Sequence, residues 1–310
     1  MMKYGVVIVT FNRKQLLRET IEAMLNQSLP PHKIIIVDNN SSDGTQEQLK
    51  KDELYNNSVI KPIYLDRNVG GAGGFKTAIE EMLKEDVDWI SISDDDAIFD
   101  KYYFENMKNG LIDGEKAYCG SVYYPDNTIQ LSHRRRYKYK FSNLFDKYVK
   151  EEEYKKEKFD VDLATFVGLF VSREVIQKIG LPKEDYFIWL DDFEYCMRIT
   201  KETQQQIHCI TDAKIIHKVD RFLNKEYELS WKEYYGCRNK FDIIENYSRN
   251  TFEKNVLIKS KVIVNKLNNL FNPKYSKVRK ERAILVSDAF KDFNSGNFGI
   301  SEKYYPGRKF

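Results

Sequence analysis

Cysteine is scarce in this chain, and the few that occur do not form pairs. The 310 residues include four cysteines, none with the CxxC spacing: Cys119, Cys196, Cys209 and Cys237. Disulfide frameworks and structural zinc sites usually show paired spacings, so the sequence argues against both. It favours a protein of a reducing compartment.

Long apolar runs are also lacking. No stretch approaches the roughly 20 consecutive apolar residues of a membrane-spanning helix. The opening "MMKYGVVIVTFNRK" is apolar only briefly before Asn12, Arg13 and Lys14 interrupt it, and it has no small-residue cleavage site. We therefore expect a cytoplasmic protein that does not cross the membrane.

A strong net charge is absent as well. The formal net charge is +3, with 42% hydrophobic and 31% charged residues, which is typical of a globular chain. This balance, together with the lack of a base-reading motif, argues against nucleic-acid binding. Basic residues are nevertheless concentrated at 133–140, 147–158 and 254–283.

Strand and helix patterns alternate through the first 120 residues. Apolar, β-branched runs occur at 4–11, 33–40, 59–66 and 87–96, with helical patterns between them. Such alternation predicts an α/β fold with a Rossmann-like, mostly parallel sheet and flanking helices. Because ligands bind beyond the carboxyl ends of such strands, the polar clusters at 10–12, 38–40, 66–74 and 94–96 should converge on one site.

The character of the sequence changes near residue 220. Beyond it the chain shows amphipathic helical patterns with basic polar faces, such as "EKNVLIKSKVIVNKLNNLF". We predict an α/β domain at 1–220 and a helical C-terminal region at 221–310. These helices either lie on an anionic membrane surface or pack on the first domain or another subunit, and the sequence leaves both open.

Three consecutive aspartates in "WISISDDDAIFD" end the fourth strand pattern. Side chains alternate along a strand, so Asp94 and Asp96 should point to one side and Asp95 to the other. Two carboxylates on one side suit a hard cation such as Mg²⁺ or Mn²⁺, which would offset their repulsion. The alternative is a solvated acidic turn that caps the next helix.

Four glycines follow the third strand pattern in "RNVGGAGGF". They allow the backbone to approach a ligand closely, and a helix N-terminus follows them: Gly70, Gly71, Gly73 and Gly74. The spacing is neither the GxGxxG dinucleotide fingerprint nor a phosphate-binding P-loop. The alternative is a loose turn.

A second acidic cluster occurs in "WLDDFEY", at a predicted helix start. One of its acids, Asp191, Asp192 or Glu194, could serve as a general base, or all could simply cap the helix. A lone histidine, His217, ends a later strand pattern. By itself it is more typical of a structural residue, as are His32, His133 and His208.

The order of these motifs resembles the family 2 glycosyltransferases with the GT-A fold. The resemblance rests on "VVIVTFNR", "IIIVDNNSSDGT", "NVGGAGGF", "SDDDA" and "WLDDFEY", and with "YYGCRN" at 234–239 it spans roughly residues 3 to 240. Within the family, the double glycine pairs and the aspartate triplet are similar to the bacterial galactofuranosyltransferase and rhamnosyltransferase branch.

The resemblance implies a role for each matching residue. The nucleoside pocket would hold Thr10, Phe11, Asn12 and Asp38, and the donor would lie along Asn68 and the four glycines. The metal ligands would be Asp94, Asp96 and His217, with Asp95 facing the donor sugar or ribose. Asp192 would be the catalytic base, with the acceptor positioned by Asp191, Glu194 and Trp189. Leu190 is an extra residue relative to the "WDD" form of the motif.

The expected activity is an inverting, metal-dependent transfer of a sugar to a hydroxyl group during synthesis of a bacterial surface polysaccharide, such as a capsule or cell-wall polymer, or its lipid-linked precursor. UDP-galactofuranose is the first choice of donor and dTDP-rhamnose the alternative. A non-catalytic nucleotide-binding assembly protein is the hypothesis from another class. Peripheral contact with the inner face of the membrane and a homo-oligomer stay open.

Overall fold

The computed structural model describes residues 2–139, 142–219 and 227–310. The strands are β1 (Tyr4–Thr10), β2 (Lys33–Asp38), β3 (Ile60–Tyr64), β4 (Trp89–Asp94), β5 (Ala97–Phe99), β6 (Ala117–Tyr123), β7 (Arg134–Tyr139), β8 (Ser142–Tyr148), β9 (Lys158–Val161), β10 (Leu163–Ala164), β11 (Leu169–Ser172) and β12 (Ile207–His217). The helices are α1 (Lys14–Leu25), α2 (Thr45–Lys51), α3 (Gly70–Met82), α4 (Tyr103–Asn109), α5 (Arg173–Ile179), α6 (Asp191–Thr203), α7 (Lys232–Tyr247), α8 (Thr251–Phe271) and α9 (Arg279–Asn294).

The main sheet has nine strands within the described part of the chain. Its order is β3-β2-β1-β4-β11-β6-β12-β5, and β9 also pairs with β12. Strands β1 to β4 are parallel to one another, as the alternating pattern predicts. The α/β fold with its flanking helices is thus confirmed.

The second half of the sheet is mixed rather than parallel. Strand β11 lies antiparallel between β4 and β6, and β5 and β9 run antiparallel to β12. Strands β6 and β12 nevertheless pair in parallel, and only β5, β9 and β11 among the described strands of this sheet run the other way, so the prediction of a mostly parallel sheet is confirmed. A further small sheet, β10-β7-β8, contains the basic segment that begins at Arg134.

Helices cover both faces of the main sheet. Helix α1 buries Leu17, Ile21 and Met24, which recur at helical spacing, against one face of the sheet. Helix α3 buries Phe75 and Ile79 against the other face. The residues Val6, Val7 and Ile8 of β1 are fully buried, which explains why this strand is a continuous apolar run.

The C-terminal helices α7 and α9 pack together beside the main sheet. Their apolar cluster includes Tyr235 and Leu285, and it extends to Phe187 in the loop before α6. Helices α7 and α9 thus bury apolar surface against the same chain. The predicted boundary between 220 and 221 lies outside the described residues, and none of the described helices is long and apolar enough to cross a membrane.

Gly70 tests how tightly the glycine-rich turn is packed. Its φ is +77°, and an added Cβ would lie 2.0 Å from the carbonyl oxygen of Phe187. We expect Gly70→Ala to lower the free energy of unfolding by about 2–4 kcal/mol, through backbone strain and displacement of that loop. Denaturant unfolding would measure the loss.

Gly71→Ala is the matched control for this substitution. No atom lies within 4 Å of the Cβ it would add, and its φ is not positive. The unfolding free energy should therefore change by less than about 1 kcal/mol. Equal losses in the two variants would show that strain and crowding at Gly70 are not the cause.

Candidate active site at the carboxyl edge of the sheet

The polar ends of the first strands meet at one edge of the sheet. The side chain of Asn39, after β2, accepts a hydrogen bond from the backbone N–H of Val69 and donates one to the carbonyl of Gly70. The hydroxyl of Thr10, at the end of β1, donates to Asp95 over 2.7 Å. The convergence predicted from the strand ends is therefore found.

Arg13 compensates the charge of the aspartate triplet. Its guanidinium donates to Asp95 over 3.0 Å and also to Asp96. Burial raises the pKa of Asp95 to about 7 even though Arg13 opposes that rise. In Asp96 the effect of burial is outweighed by His217 and Arg13, so the pKa of its carboxyl lies below the usual value.

His217 completes a three-residue cluster with Asp94 and Asp96. One potential ligand atom from each of the three lies within 4.8 Å of the others. The Nε2 atom of His217 is 3.1 Å from Oδ1 of Asp96, yet that buried oxygen accepts no well-aligned hydrogen bond from the residues that the structure describes. Burial lowers the pKa of His217, but Asp96 outweighs this and raises it. Two carboxylates, a histidine and an unsatisfied oxygen fit a divalent cation.

Strand alternation is not what separates the three aspartates. Strand β4 ends at Asp94, and Asp95 and Asp96 form a turn before β5. The expected pairing of Asp94 with Asp96 is nevertheless present, because the turn directs Asp95 toward Thr10 and Arg13. The structure therefore places Asp95 against these two residues, and it is not among the residues that line the cavity described below.

Asp38 has an unsatisfied oxygen at the end of β2. Its Oδ2 accepts from the backbone of Ser41 and from the side chain of Gln46, whereas its buried Oδ1 accepts no hydrogen bond from any described residue. A buried carboxylate oxygen without a partner suits a ligand that brings a donor. Nearby, Asn12 has a φ of 54° and accepts a hydrogen bond from the backbone of Ser42.

A cavity of about 670 Å³ opens beside the metal-type cluster. It is lined by Asp94, by Gly71 of α3, by Trp189 in the loop before α6, and by residues of α6, α7, α8 and α9, including Asp191, Asp192, Lys232, Lys261 and Arg282. Of the four predicted glycines, Gly71 lines this cavity, whereas an added Cβ at Gly73 or Gly74 would meet a valine side chain. The structure thus shows Gly73 and Gly74 as packing positions. Asn68 accepts a hydrogen bond from the backbone of Gly70.

The loop before α6 has an unusual backbone. Phe187, Trp189 and Leu190 all have φ between 65° and 69°, a region that non-glycine residues rarely adopt. Asn239 of α7 holds this loop, because its Nδ2 lies 3.1, 3.2 and 2.9 Å from the carbonyl oxygens of Tyr186, Ile188 and Trp189.

Arg238, the neighbour of Asn239, holds the start of the same loop. Its Nη2 donates to the carbonyls of Asp185 and Tyr186, over 2.9 and 3.2 Å. Left-handed conformations cost about 1–3 kcal/mol each and persist only where surrounding contacts impose them. Both contacts come from "YYGCRN", so this motif supports the loop that leads into α6.

Asp191 and Asp192 open α6 at the cavity wall. Burial raises the pKa of Asp192 to about 7, with a further rise from Asp94 and opposition from Arg135. Burial, followed by the charge of Asp192, raises the pKa of Asp191 well above its usual value. A carboxyl that titrates near neutrality suits a general base.

Glu194 does not reach this cavity. Its carboxylate is bound by Arg198 over 3.0 Å and by the hydroxyl of Tyr247 over 2.8 Å, and it is only 1% exposed. Glu194 thus has protein partners and does not line the cavity, and its role in positioning an acceptor stays a prediction. Trp189 lines the cavity, and an added Cβ at Gly236 would lie 2.8 Å from its ring.

Two site residues escape sequence reasoning. Arg13 is visible there only as a break in an apolar run, although it pairs with Asp95 and Asp96 of the triplet. His133 lines the cavity, and its ring lies 5.0 Å from that of His217. Burial lowers the pKa of His133 well below its usual value. The basic residues that surround His133 in "HRRRYKYK" do not indicate that its ring contacts His217.

Comparison with known proteins agrees with this arrangement. The family model "Glycosyl transferase family 2" matches residues 5–180. The galactofuranosyltransferase GlfT1 of Mycolicibacterium smegmatis is 35% identical over 92 residues, which are 29% of this chain and 28% of that protein. The dTDP-rhamnosyl transferase RfbF of Shigella flexneri is 23% identical over 244 residues, covering 76% of this chain and 77% of that one.

Solved structures share the fold at low sequence identity. S. aureus TarS has a TM-score of 0.58 and 16% identity, and the match covers 98% of this chain and 50% of that one. GalNAc-T7, solved with UDP, GalNAc and Mn²⁺, has a TM-score of 0.64 and 14% identity, covering 95% of this chain and 56% of that one. At this identity the likeness shows the fold alone.

Removing Arg13 should expose the repulsion within the triplet. We expect Arg13→Gln to lower the free energy of unfolding by about 1–3 kcal/mol at pH 8, because Asp95 and Asp96 would be buried with less compensation. The loss should be smaller at pH 5. At pH 5, below its pKa of about 7, Asp95 is neutral and gains little from Arg13.

Arg18→Gln is the control for Arg13→Gln. Arg18 lies on the first turns of α1 and pairs with Glu22 and Asp52 at the surface, where ion pairs contribute about 0–1 kcal/mol. Urea unfolding at the two pH values compares the variants. If Arg13→Gln costs no more than Arg18→Gln, Arg13 is not the main compensating charge.

Proposed function

The chain belongs to glycosyl transferase family 2, and from this premise we propose that it transfers a sugar from a nucleotide-sugar donor to a hydroxyl group of a glycan or lipid-linked glycan. One observation carries the proposal. Asp94 of the metal-type cluster and Asp192, a carboxyl with a pKa near 7, line one cavity. This combination is what activation of a hydroxyl and stabilisation of a departing diphosphate require.

We propose UDP-galactofuranose as the donor. The aligned galactofuranosyltransferase supports this choice, although the alignment spans only 28% of that relative. A UDP donor is also supported by S. aureus TarS, which has been solved in complexes with UDP and with UDP-GlcNAc. The dTDP-rhamnosyl transferase RfbF supports the alternative of a dTDP-rhamnose donor.

The nucleoside would lie over the ends of β1 and β2. Asp38 offers its unsatisfied Oδ1 to a base or ribose donor group, beside Thr10, Phe11 and Asn12. The sugar would then face the cavity past Gly71, where no side chain fills the space. This path runs from the edge of the sheet toward Asp192.

Asp94, Asp96 and His217 would hold a divalent cation, Mn²⁺ or Mg²⁺. Their carboxylate oxygens and imidazole nitrogen suit such an ion. When bound, it would supply positive charge to the diphosphate oxygens. Arg13 and Lys232 line the same part of the cavity and add fixed positive charge near the leaving group.

Asp192 would take the proton from the acceptor hydroxyl. Deprotonation makes the oxygen nucleophilic, and it attacks the anomeric carbon as the bond to the diphosphate breaks. A single displacement of this kind inverts the configuration at that carbon. Asp191 and Trp189, on the same wall, would orient the acceptor.

Helix α8 supports peripheral contact with a membrane. Its exposed apolar residues fall within an arc of roughly 120° at 100° per residue: Phe252, Val256, Ile263, Val264, Leu267, Leu270 and Phe271. The exposed lysines Lys259 and Lys266 lie along one edge of this arc, as expected for a helix lying on an anionic surface. We propose a cytoplasmic enzyme that touches the inner face of the membrane through the region after residue 220, alone or as a homo-oligomer.

Nucleotide binding is the first test. With Mn²⁺ present, UDP at 100 times its dissociation constant should stabilise the fold by about 2.7 kcal/mol, and dTDP should have less effect. Thermal unfolding with each nucleotide measures this difference, and Asp94→Asn should reduce the UDP effect. A larger response to dTDP would favour the rhamnose donor, and no response to any nucleoside diphosphate would exclude the proposed enzyme.

The pH profile tests Asp192 as the base. A base must be ionised, so kcat/KM should fall about tenfold per pH unit below pH 7. Asp192→Asn should lower kcat by about 10²–10⁴-fold while UDP still binds. Sugar transfer followed across pH 5 to 9 gives both results.

Asp185→Asn is the matched control for Asp192→Asn. Asp185 is exposed in the loop before α6, and the substitution removes the same charge. Its activity and pH profile should equal those of the wild type. Turnover retained in Asp192→Asn would refute the base assignment. Wild-type protein that binds UDP and metal but transfers sugar to no acceptor would favour a non-catalytic assembly protein.

A further inference from the structure

Arg282 is a buried cation without a full set of partners. It lies on α9 at the cavity wall, is 7% exposed, and its guanidinium carbon is 4.1 Å from the centre of the Tyr275 ring. Within the described part of the chain, its Nε and Nη1 have no hydrogen-bond partner. Because an arginine stays charged and unsatisfied buried donors are unfavourable, these atoms point to an acceptor that comes from a ligand.

Lys261 lines the same end of the cavity from α8. Its side chain is partly buried, and no ion pair with another described residue occupies its ammonium group. Glu233 is the nearby acid, and its Oε1 accepts a hydrogen bond from the hydroxyl of Tyr227. This end of the cavity therefore has two cations, Lys261 and Arg282, and one carboxylate, Glu233, so it carries an excess of positive charge.

Arg282 and Lys261 lie apart from the aspartate cluster along the cavity. The charges of Lys261, Arg282 and Glu233 influence the pKa of Cys237 on α7. The pKa of Lys232, by contrast, is influenced by the charges of Arg13, Asp94 and Asp96. Cys237 follows Lys232 by five positions on α7, a rise of about 7.5 Å along the helix. An anion at Arg282 would thus be distinct from the donor diphosphate.

We propose that Arg282 and Lys261 form a subsite for a phosphate group of the acceptor. A guanidinium and an ammonium can share the several oxygens of one phosphate, and the site is shielded enough for these bonds to be strong. The same cavity wall carries Asp192, so a phosphate held here would bring the rest of the acceptor near the base. The assignment to an acceptor rests on the proposed transfer function.

Binding of farnesyl monophosphate tests the subsite. The probe is titrated into protein saturated with UDP and Mg²⁺, and the change in intrinsic tryptophan fluorescence, to which Trp189 in the cavity wall contributes, reports binding. Arg282→Gln and Lys261→Gln should each weaken binding at least tenfold, as should replacing the probe with uncharged farnesol. UDP affinity should stay unchanged in both variants.

Arg279→Gln is the matched control. Arg279 lies three residues earlier on α9, is exposed, and loses the same charge in this substitution. Its affinity for the probe should equal that of the wild type. If thermal unfolding shows that Arg282→Gln is misfolded, Lys261→Gln decides, because its partly exposed side chain leaves the core intact.

A titration with glycerol 3-phosphate, which lacks the farnesyl chain, distinguishes the two possible sources of the phosphate. Loss of its binding in both variants supports a soluble or polymeric phosphate acceptor, and dependence on the farnesyl chain supports a lipid phosphate. Unchanged probe affinity in Arg282→Gln, or farnesol binding as tightly as its phosphate, would overturn the subsite in favour of an arginine satisfied by water. A parallel titration without nucleotide keeps this result separate, since failure to bind UDP counts only against the proposed function.

Discussion

The site depends on how the chain compensates three consecutive carboxylates. Arg13 binds Asp95 and Oδ2 of Asp96, and His217 lies against Oδ1 of Asp96. These contacts tie the end of β1, the turn after β4 and the end of β12 together. Since burial alone would favour the protonated acids, the compensating cations keep part of the cluster ionised and available to a metal. The fold of the sheet edge and its chemistry therefore rest on the same charges.

Much of the first half of the fold follows from the sequence. Strands buried on both faces appear as continuous apolar runs, and their polar ends mark the ligand edge. The antiparallel insertion of β11 could not be predicted in this way, because "LFVS" has no local feature that selects β4 and β6 as its neighbours. Strand alternation likewise failed beyond Asp94, where the chain leaves the strand for a turn.

The parts of the site that sequence reasoning missed depend on contacts between distant segments. His133 meets His217 only because the small sheet brings the two rings together. The left-handed residues before α6 include a phenylalanine, a tryptophan and a leucine, whose types give no hint of such a backbone. The glycines show the reverse case. Their pattern suggested ligand contact, whereas Gly70, Gly73 and Gly74 are also required by close packing.

The loop held by Asn239 has a consequence for building chimeric proteins from this family. The residues that carry the catalytic-type acids precede residue 220, but the amide that fixes their backbone lies on α7. A fusion made near residue 220 would replace Asn239 but keep the loop before α6 that Asn239 fixes. The unit that can be moved as one piece thus crosses the apparent boundary in the sequence, and a recombination point would have to carry Asp185–Asp192 and "YYGCRN" from the same parent.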